Sequence, residues 1–147
     1  MGIINFEITL IGNMKDYLQL ITDYEKYVTY LPAQIKSVKI IEKSSEYTIT
    51  EETLHLSNVI SKTFIQQTKH YTLKNDILES KILSGPAKNS IIKLKLTDID
   101  SKTIILIEID VKLALKYKIL LPIIKKSYKT FFMGILYKMQ STIASLD

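Results

Sequence analysis

SIIKLKLT (residues 90–97), TIILIEIDV (residues 103–111) and IIKKSYKTFFMGILYKMQSTIAS (residues 123–145) decide how this chain folds. In the first stretch Ile92, Leu94 and Leu96 alternate with Lys93, Lys95 and Thr97, the period of two that places successive side chains on opposite faces of a strand. In the second, Ile105, Ile107, Ile109 and Val111 oppose Glu108, Asp110 and Lys112, although Ile104 and Leu106 blur the contrast. The apolar sets point inward and the polar sets mark a solvent face. The third stretch changes period. Ile124, Tyr128, Phe131, Phe132, Ile135, Leu136, Met139 and Ile143 recur at helical spacing, and Pro122 near its start costs no hydrogen bond in a first helical turn. A helix of this length is roughly 34 Å long and crosses the whole face of a small domain. It must pack on a sheet or a partner, and a sheet wrapped around it either buries it fully or leaves a cavity beside it. Gly134, in its interior, costs about 1 kcal/mol relative to alanine, which leaves two explanations open: close backbone packing, or room for something that is not protein.

Upstream of this pair, strand patterns run from Ser37 to Glu42, Tyr47 to about His55, Val59 to Leu73 and Ile77 to Leu83. Lys43-Ser44-Ser45, Leu56-Ser57-Asn58 and Lys74-Asn75-Asp76 read as turns between them, and Gly85-Pro86 separates the fifth strand from the sixth. Connections this short make sequence neighbours pair antiparallel. At the N-terminus Ile4, Phe6, Ile8 and Leu10 alternate with polar residues as a first strand, ended by Gly12-Asn13. Asn13 with Asp16, and Thr22 with Glu25, have the capping-box spacing that opens a helix, so two short helices are expected before Pro32. The order is therefore a strand, two short helices, six strands and a long helix, an α+β domain covering residues 1–147.

The bulk composition limits what such a domain does. With 147 residues and 46% hydrophobic content it supports a substantial core. It has no cysteine, which removes disulfides and thiolate metal sites and is compatible with a reducing compartment. The apolar run near the N-terminus has no basic region before it and is interrupted by Glu7, so it reads as a strand rather than a signal peptide. Runs such as Ile119 to Ile124 are far too short for a bilayer, which needs about 20 residues. A soluble, cytoplasmic protein is expected. Its net charge is +5 and all 20 of its basic residues are Lys. A reader of phosphates or bases uses the bidentate arginine fork, so specific nucleic-acid recognition is not expected. No acid lies between Val111 and Leu146, where Lys112, Lys116, Lys118, Lys125, Lys126, Lys129 and Lys138 gather. These lysines flank an apolar face as solvated cations, and they also suit peripheral contact with an anionic membrane.

The element order, together with YLQLITDYEKYVTYLP (residues 17–32), resembles the START-like superfamily of helix-grip proteins. The stretch is similar to that superfamily's aromatic-hydrophobic helix, Asp turn and aromatic-Pro segment before the second strand. Glu51-Glu52 after Tyr47 to Thr50, and Leu83-Ser84-Gly85 after the fifth strand, look like the polyketide cyclase/aromatase and coenzyme Q-binding branch. The resemblance implies a seven-stranded antiparallel curved sheet gripping the C-terminal helix, two short helices between the first two strands, and a cavity between sheet and helix. It transfers no catalytic residue.

The residues that would line such a cavity are Phe6, Ile8, Leu10 and Leu31, then Ile92, Leu94, Leu96, Ile105, Ile107 and Ile109 on the last two strands, and Phe131, Phe132, Ile135 and Met139 on the helix. An aliphatic and aromatic lining suits a lipid, isoprenoid or quinone better than a sugar or nucleotide. Each buried methylene contributes roughly 0.8 kcal/mol, so a short tail already gives useful affinity. The expected function is binding, shielding or transfer of such a hydrophobic small molecule. The alternative is a polyketide cyclase or aromatase acting in the same cavity, which needs at least one of Tyr47, Glu51, Glu52, His70 and Tyr71 at the substrate. Glu51 and Glu52 occupy opposite strand faces, as do His70 and Tyr71, so neither pair is an acid-base couple. Whichever glutamate faces inward would have its carboxyl pKa raised by burial, with Tyr47 as a neighbour on its strand. His55 and His70 are too separated for a metal site, and neither metal nor cofactor is expected.

Overall fold

The computed structural model describes residues 2–56 and 63–145. It contains β1 (Ile3–Ile11), α1 (Met14–Ile21), a 3-10 helix (Tyr24–Thr29), β2 (Ile35–Lys43), β3 (Tyr47–Leu54), β4 (Phe64–Lys74), β5 (Ile77–Ile82), β6 (Ile91–Ile99), β7 (Lys102–Asp110), a second 3-10 helix (Leu115–Leu120) and α2 (Leu121–Ala144). The strands form a seven-stranded sheet in the order β1-β7-β6-β5-β4-β3-β2, antiparallel throughout. Ser57 and Asn58 of the expected Leu56-Ser57-Asn58 turn, and the expected start of β4 at Val59, fall within residues 57–62, outside the described residues.

Local chemistry accounts for most boundaries. The Asn13 side chain accepts from the Asp16 amide at 2.9 Å and opens α1. The second capping box does not form. The Thr22 hydroxyl donates back to the Leu18 carbonyl at 2.7 Å and ends α1, while the Glu25 carboxylate takes the Ile40 amide of β2 at 3.3 Å. Thr22 is thus the close of one helix rather than the start of the next, and the segment after it winds as a 3-10 helix. Asp100 and Ser101 both have positive φ, 50° and 64°, which makes the two-residue connection that matches the twist of β6 and β7.

The core sits where α2 lies along β1 and β7. Leu10, Ile105 and Met139 are fully buried there, with Ile8, Leu96, Ile107 and Ile109 around them. Tyr17 of α1 closes that end, its hydroxyl donating to the Ile11 carbonyl at 2.5 Å, and Gln140 of α2 accepts the Ile11 amide at 2.8 Å. The inward and outward sets expected for β6 and β7 stand as assigned, with Ile105, Ile107, Ile109 and Val111 buried and Leu106 exposed.

Candidate functional site

Away from β1 and β7, the sheet curves from the N-terminal half of α2 and leaves a cavity of about 120 Å³. An engineered apolar cavity of about 150 Å³ takes up benzene, so this space suits one ring or a short chain. Tyr128, Phe131, Phe132 and Ile135 of α2 form its roof, Ile92 and Leu94 of β6 one side, and Ile35, Val38 and Leu54 of β2 and β3 the other. Ile21 of α1 and Tyr24 and Tyr27 of the first 3-10 helix close an end.

Its floor is polar. Register pairs Thr48 with His70, Thr50 with Thr68, Glu52 with Gln66 and His70 with Ser80, so alternation puts these residues on one face of three adjacent strands. The Glu52 carboxylate accepts from the Thr68 hydroxyl, from Thr50 Oγ1 at 3.1 Å and from Gln66 Nε2 at 3.5 Å. Thr50 Oγ1 is also 2.9 Å from His70 Nε2, and His70 Nδ1 is 2.7 Å from Ser80 Oγ. A threonine hydroxyl carries one proton. If that proton goes to Glu52, the His70 Nε2–H must donate to Thr50, and Nδ1 then accepts from Ser80. The hydrogen bonds run in one direction, Ser80 to His70 to Thr50 to Glu52. The His70 ring lies against Tyr24 with centroids 4.0 Å apart and planes 16° from parallel.

Burial sets the protonation states. Desolvation raises the Glu52 carboxyl to about 7, against the pull of its three hydrogen-bond donors, and the Glu51 charge pushes in the same direction as burial. Desolvation lowers His70 to about 4, so its imidazole is neutral near pH 7. Tyr24 and Tyr128 are each raised to about 12 by burial, and Tyr27 is raised well above its ordinary value, so all three keep their protons.

No protein-family model matches this sequence, and no curated protein matches it. Solved structures do match in shape. A START superfamily protein from Mycobacterium smegmatis superposes with a TM-score of 0.80 at 12% identity, covering 99% of each chain. A protein from Thermus thermophilus gives 0.83 at 10% identity, again over 99% of both. The ZhuI aromatase/cyclase from a Streptomyces species gives 0.79 at 9% identity, over 96% of this chain and 94% of the other. The chain has the START-like helix-grip fold.

Within that helix-grip frame the expected lining residues separate into three placements. Ile92, Leu94, Phe131, Phe132 and Ile135 stand at the cavity wall. Ile8, Leu10, Leu96, Ile105, Ile107, Ile109 and Met139 lie in the packed core under α2, with Phe6 partly buried against it. Leu31 lines a neighbouring groove, together with Gly134. A Cβ on Gly134 would meet only the Leu31 methyl groups, at 3.5 and 3.7 Å, which is ordinary contact. Neither tight packing nor the cavity itself explains this glycine.

Among the polar candidates, Glu52, His70 and Tyr71 border the cavity, although the Tyr71 ring packs with Tyr47 on the outer face. Glu51 faces the other way, toward Gln67 at 3.4 Å. Tyr47 and Tyr71 stand together on that outer face beneath the Lys69 ammonium, and the Tyr47 hydroxyl donates to Glu42 rather than to Glu52. Sequence reasoning missed Tyr24, Tyr27, Thr50, Gln66, Thr68 and Ser80. The available signal was the alternation itself: Thr48, Thr50 and Glu52 on β3 and Gln66, Thr68 and His70 on β4 share the parity of the buried Leu54. No group of three or more metal-ligating side chains occurs among the described residues.

Proposed function

We propose that residues 1–147 form one ligand-binding domain that shields a hydrophobic small molecule, of the lipid, isoprenoid or quinone kind, and passes it on. The observation that carries this reading is the cavity beneath Phe131 and Phe132, apolar over most of its wall with one polar row at its floor. The adjoining grooves share Leu56, Tyr128 and Phe131 with it and offer a course for a tail longer than the cavity holds.

Delivery to an anionic membrane fits the surface beside those grooves. Leu115 and Ile119 of the second 3-10 helix are 82% and 86% exposed, and Ile123 is 50% exposed. Lys116, Lys118 and Lys126, close to them in sequence, are exposed as well. Apolar side chains that enter the headgroup layer beside lysines that meet anionic lipid are the two elements of peripheral binding. No described helix is long and apolar enough to cross a membrane.

Native mass spectrometry of protein purified from its source tests both halves of this proposal. A co-purifying apolar compound is expected to be released on contact with anionic vesicles, and less so in high salt. No co-purifying compound and no saturable uptake of hydrophobic probes would remove the carrier reading. A cyclase or aromatase remains the second reading, because Glu52 and His70 both stand at the cavity and are linked through Thr50. Such an enzyme would use the cavity to fold a substrate, since orientation alone contributes several kcal/mol.

A further inference from the structure

When Glu52 ionises, the polar floor of the cavity carries a negative charge for which no described residue supplies a cation. Every donor to Glu52 is neutral: two threonine hydroxyls and one amide. No described lysine contributes to the cavity wall, and the ion pairs formed among the described residues, Lys26 with Asp23 and Lys93 with Glu79, lie elsewhere. His70 does not serve as a counter-ion, because burial against Tyr24 lowers its pKa to about 4 and leaves its ring neutral. A carboxylate removed from water without a cation is costly, and hydrogen bonds from neutral groups offset only part of that.

The floor also holds an acceptor that no described group meets. Thr50 and Thr68 spend their hydroxyl protons on Glu52, Gln66 gives it one of its two N–H groups, and with Glu52 ionised Ser80 donates to His70. Gln66 is 6% exposed, and its Oε1 has no partner among the described residues. Turning the amide over would bring that oxygen against the Glu52 carboxylate, so the Glu52 charge fixes its orientation. Tyr24 and Tyr128 can accept as well as donate. Tyr24, Tyr27, Tyr128 and Phe132 also line the cavity, and an aromatic ring that turns its face to a cation attracts it.

We infer that the cavity takes a lipophilic amine, its apolar body against the aromatic and aliphatic walls and its ammonium group against Glu52. This rests on the binding reading of the cavity and narrows its ligand class. An ammonium ion brings a positive charge for Glu52 and an N–H donor for the unpartnered Gln66 Oε1. A carboxylate ligand would meet Glu52 as a like charge, and a simple hydrocarbon would leave the acceptors unpaired.

The test compares benzylamine, benzyl alcohol and benzoate, matched ring-sized probes, by isothermal titration at pH 8 and pH 5.5. The amine stays charged at both values. The titratable groups facing Glu52 are His70 from β4, Tyr24 and Tyr27 from the first 3-10 helix and Tyr128 from α2, and all remain neutral across this range. Glu51 lies on the opposite face. At pH 8 the amine is expected to bind about tenfold or more tightly than the alcohol, as a charge-assisted hydrogen bond warrants, with benzoate weakest. At pH 5.5 the preference should contract as Glu52 takes up a proton, and Glu52→Gln should abolish it at pH 8 while alcohol binding persists. If Glu52→Gln does not fold, the pH comparison on the unmodified protein decides. Alcohol binding as tight as amine binding, or an amine preference indifferent to pH and to Glu52→Gln, overturns the amine inference alone. Absence of saturable binding by all three probes overturns the binding reading with it.

Discussion

Where β1 and β7 meet the C-terminal half of α2, Leu10, Ile105 and Met139 have no exposure; where β3, β4 and β5 face its N-terminal half, about 120 Å³ stays unfilled above a floor of Glu52, Thr68 and His70. One helix and one sheet thus form a dry core at one end and a polar-floored cavity at the other. The first region holds the fold and the second gives up packing for a site. The contrast predicts different responses to the same kind of change. Ile105→Ala, in the closed region, should cost about 3 kcal/mol, since a buried aliphatic side chain is lost and a void is left. Ile92→Ala, at the cavity wall, removes a side chain that already borders empty space and should cost about 1 kcal/mol. Denaturant unfolding of the two variants measures the difference, and equal losses would mean that the second region is packed as tightly as the first.

The next largest effect concerns charge. Glu52 is raised from 4.5 to about 7, so the folded state holds its proton more tightly than the unfolded chain does. The stability this contributes is complete below pH 4.5 and is lost as pH rises through about 7. His70 is lowered from 6.5 to about 4, so its contribution is complete above pH 6.5 and is lost as pH falls through about 4. Each amounts to roughly 3 kcal/mol, because every tenfold change in proton affinity between the folded and unfolded chain is worth about 1.4 kcal/mol. Between pH 4.5 and 6.5 the two slopes oppose each other, so unfolding midpoints of the unmodified protein should be nearly flat there. Glu52→Gln should leave the His70 slope, with stability climbing over that interval. His70→Gln should leave the Glu52 slope, with stability falling from pH 4.5 toward 7. Parallel profiles for the two variants would show that the floor is solvated like an ordinary surface.

The same division explains what the sequence disclosed. On β6 and β7 apolar alternation and burial agree, so Ile92, Leu94, Ile105 and Ile107 are assigned to the correct face from pattern alone. The long helix, the order of elements and the antiparallel sheet were legible for the same reason, because each followed from local periodicity and short connections. On β3 and β4 the rule inverts. Thr50, Glu52, Thr68 and His70 face inward while Ile49, Ile65 and Tyr71 face the outer side, so a reading that sends apolar residues inward finds the core and misses the site. Parity with Leu54 on β3 and Phe64 on β4 was the remaining clue. The contribution of Tyr24 and Tyr27 was not legible, because it depends on how a 3-10 helix far from β4 in sequence is laid against His70.

The smallest effect falls on the boundary between the two regions. Gly134 sits on α2 between Phe131, which roofs the cavity, and Leu136, which lies in the core. Its place in a helix invites a functional explanation, yet a Cβ there would find only Leu31 at 3.5 Å. Its backbone is helical, so alanine meets no strain, and the gain in helix propensity should act unopposed. Gly134→Ala is therefore expected to stabilise the protein by about 1 kcal/mol without changing probe uptake by the cavity, since the residue lines the adjacent groove instead. A larger side chain, as in Gly134→Leu, would enter that groove beside Leu31 and Gln34. Loss of stability in the alanine variant would show that the helix and Leu31 approach more closely than 3.5 Å allows. Loss of probe binding at unchanged stability would show instead that groove and cavity are one continuous site, which would carry the open region of the molecule past the middle of α2.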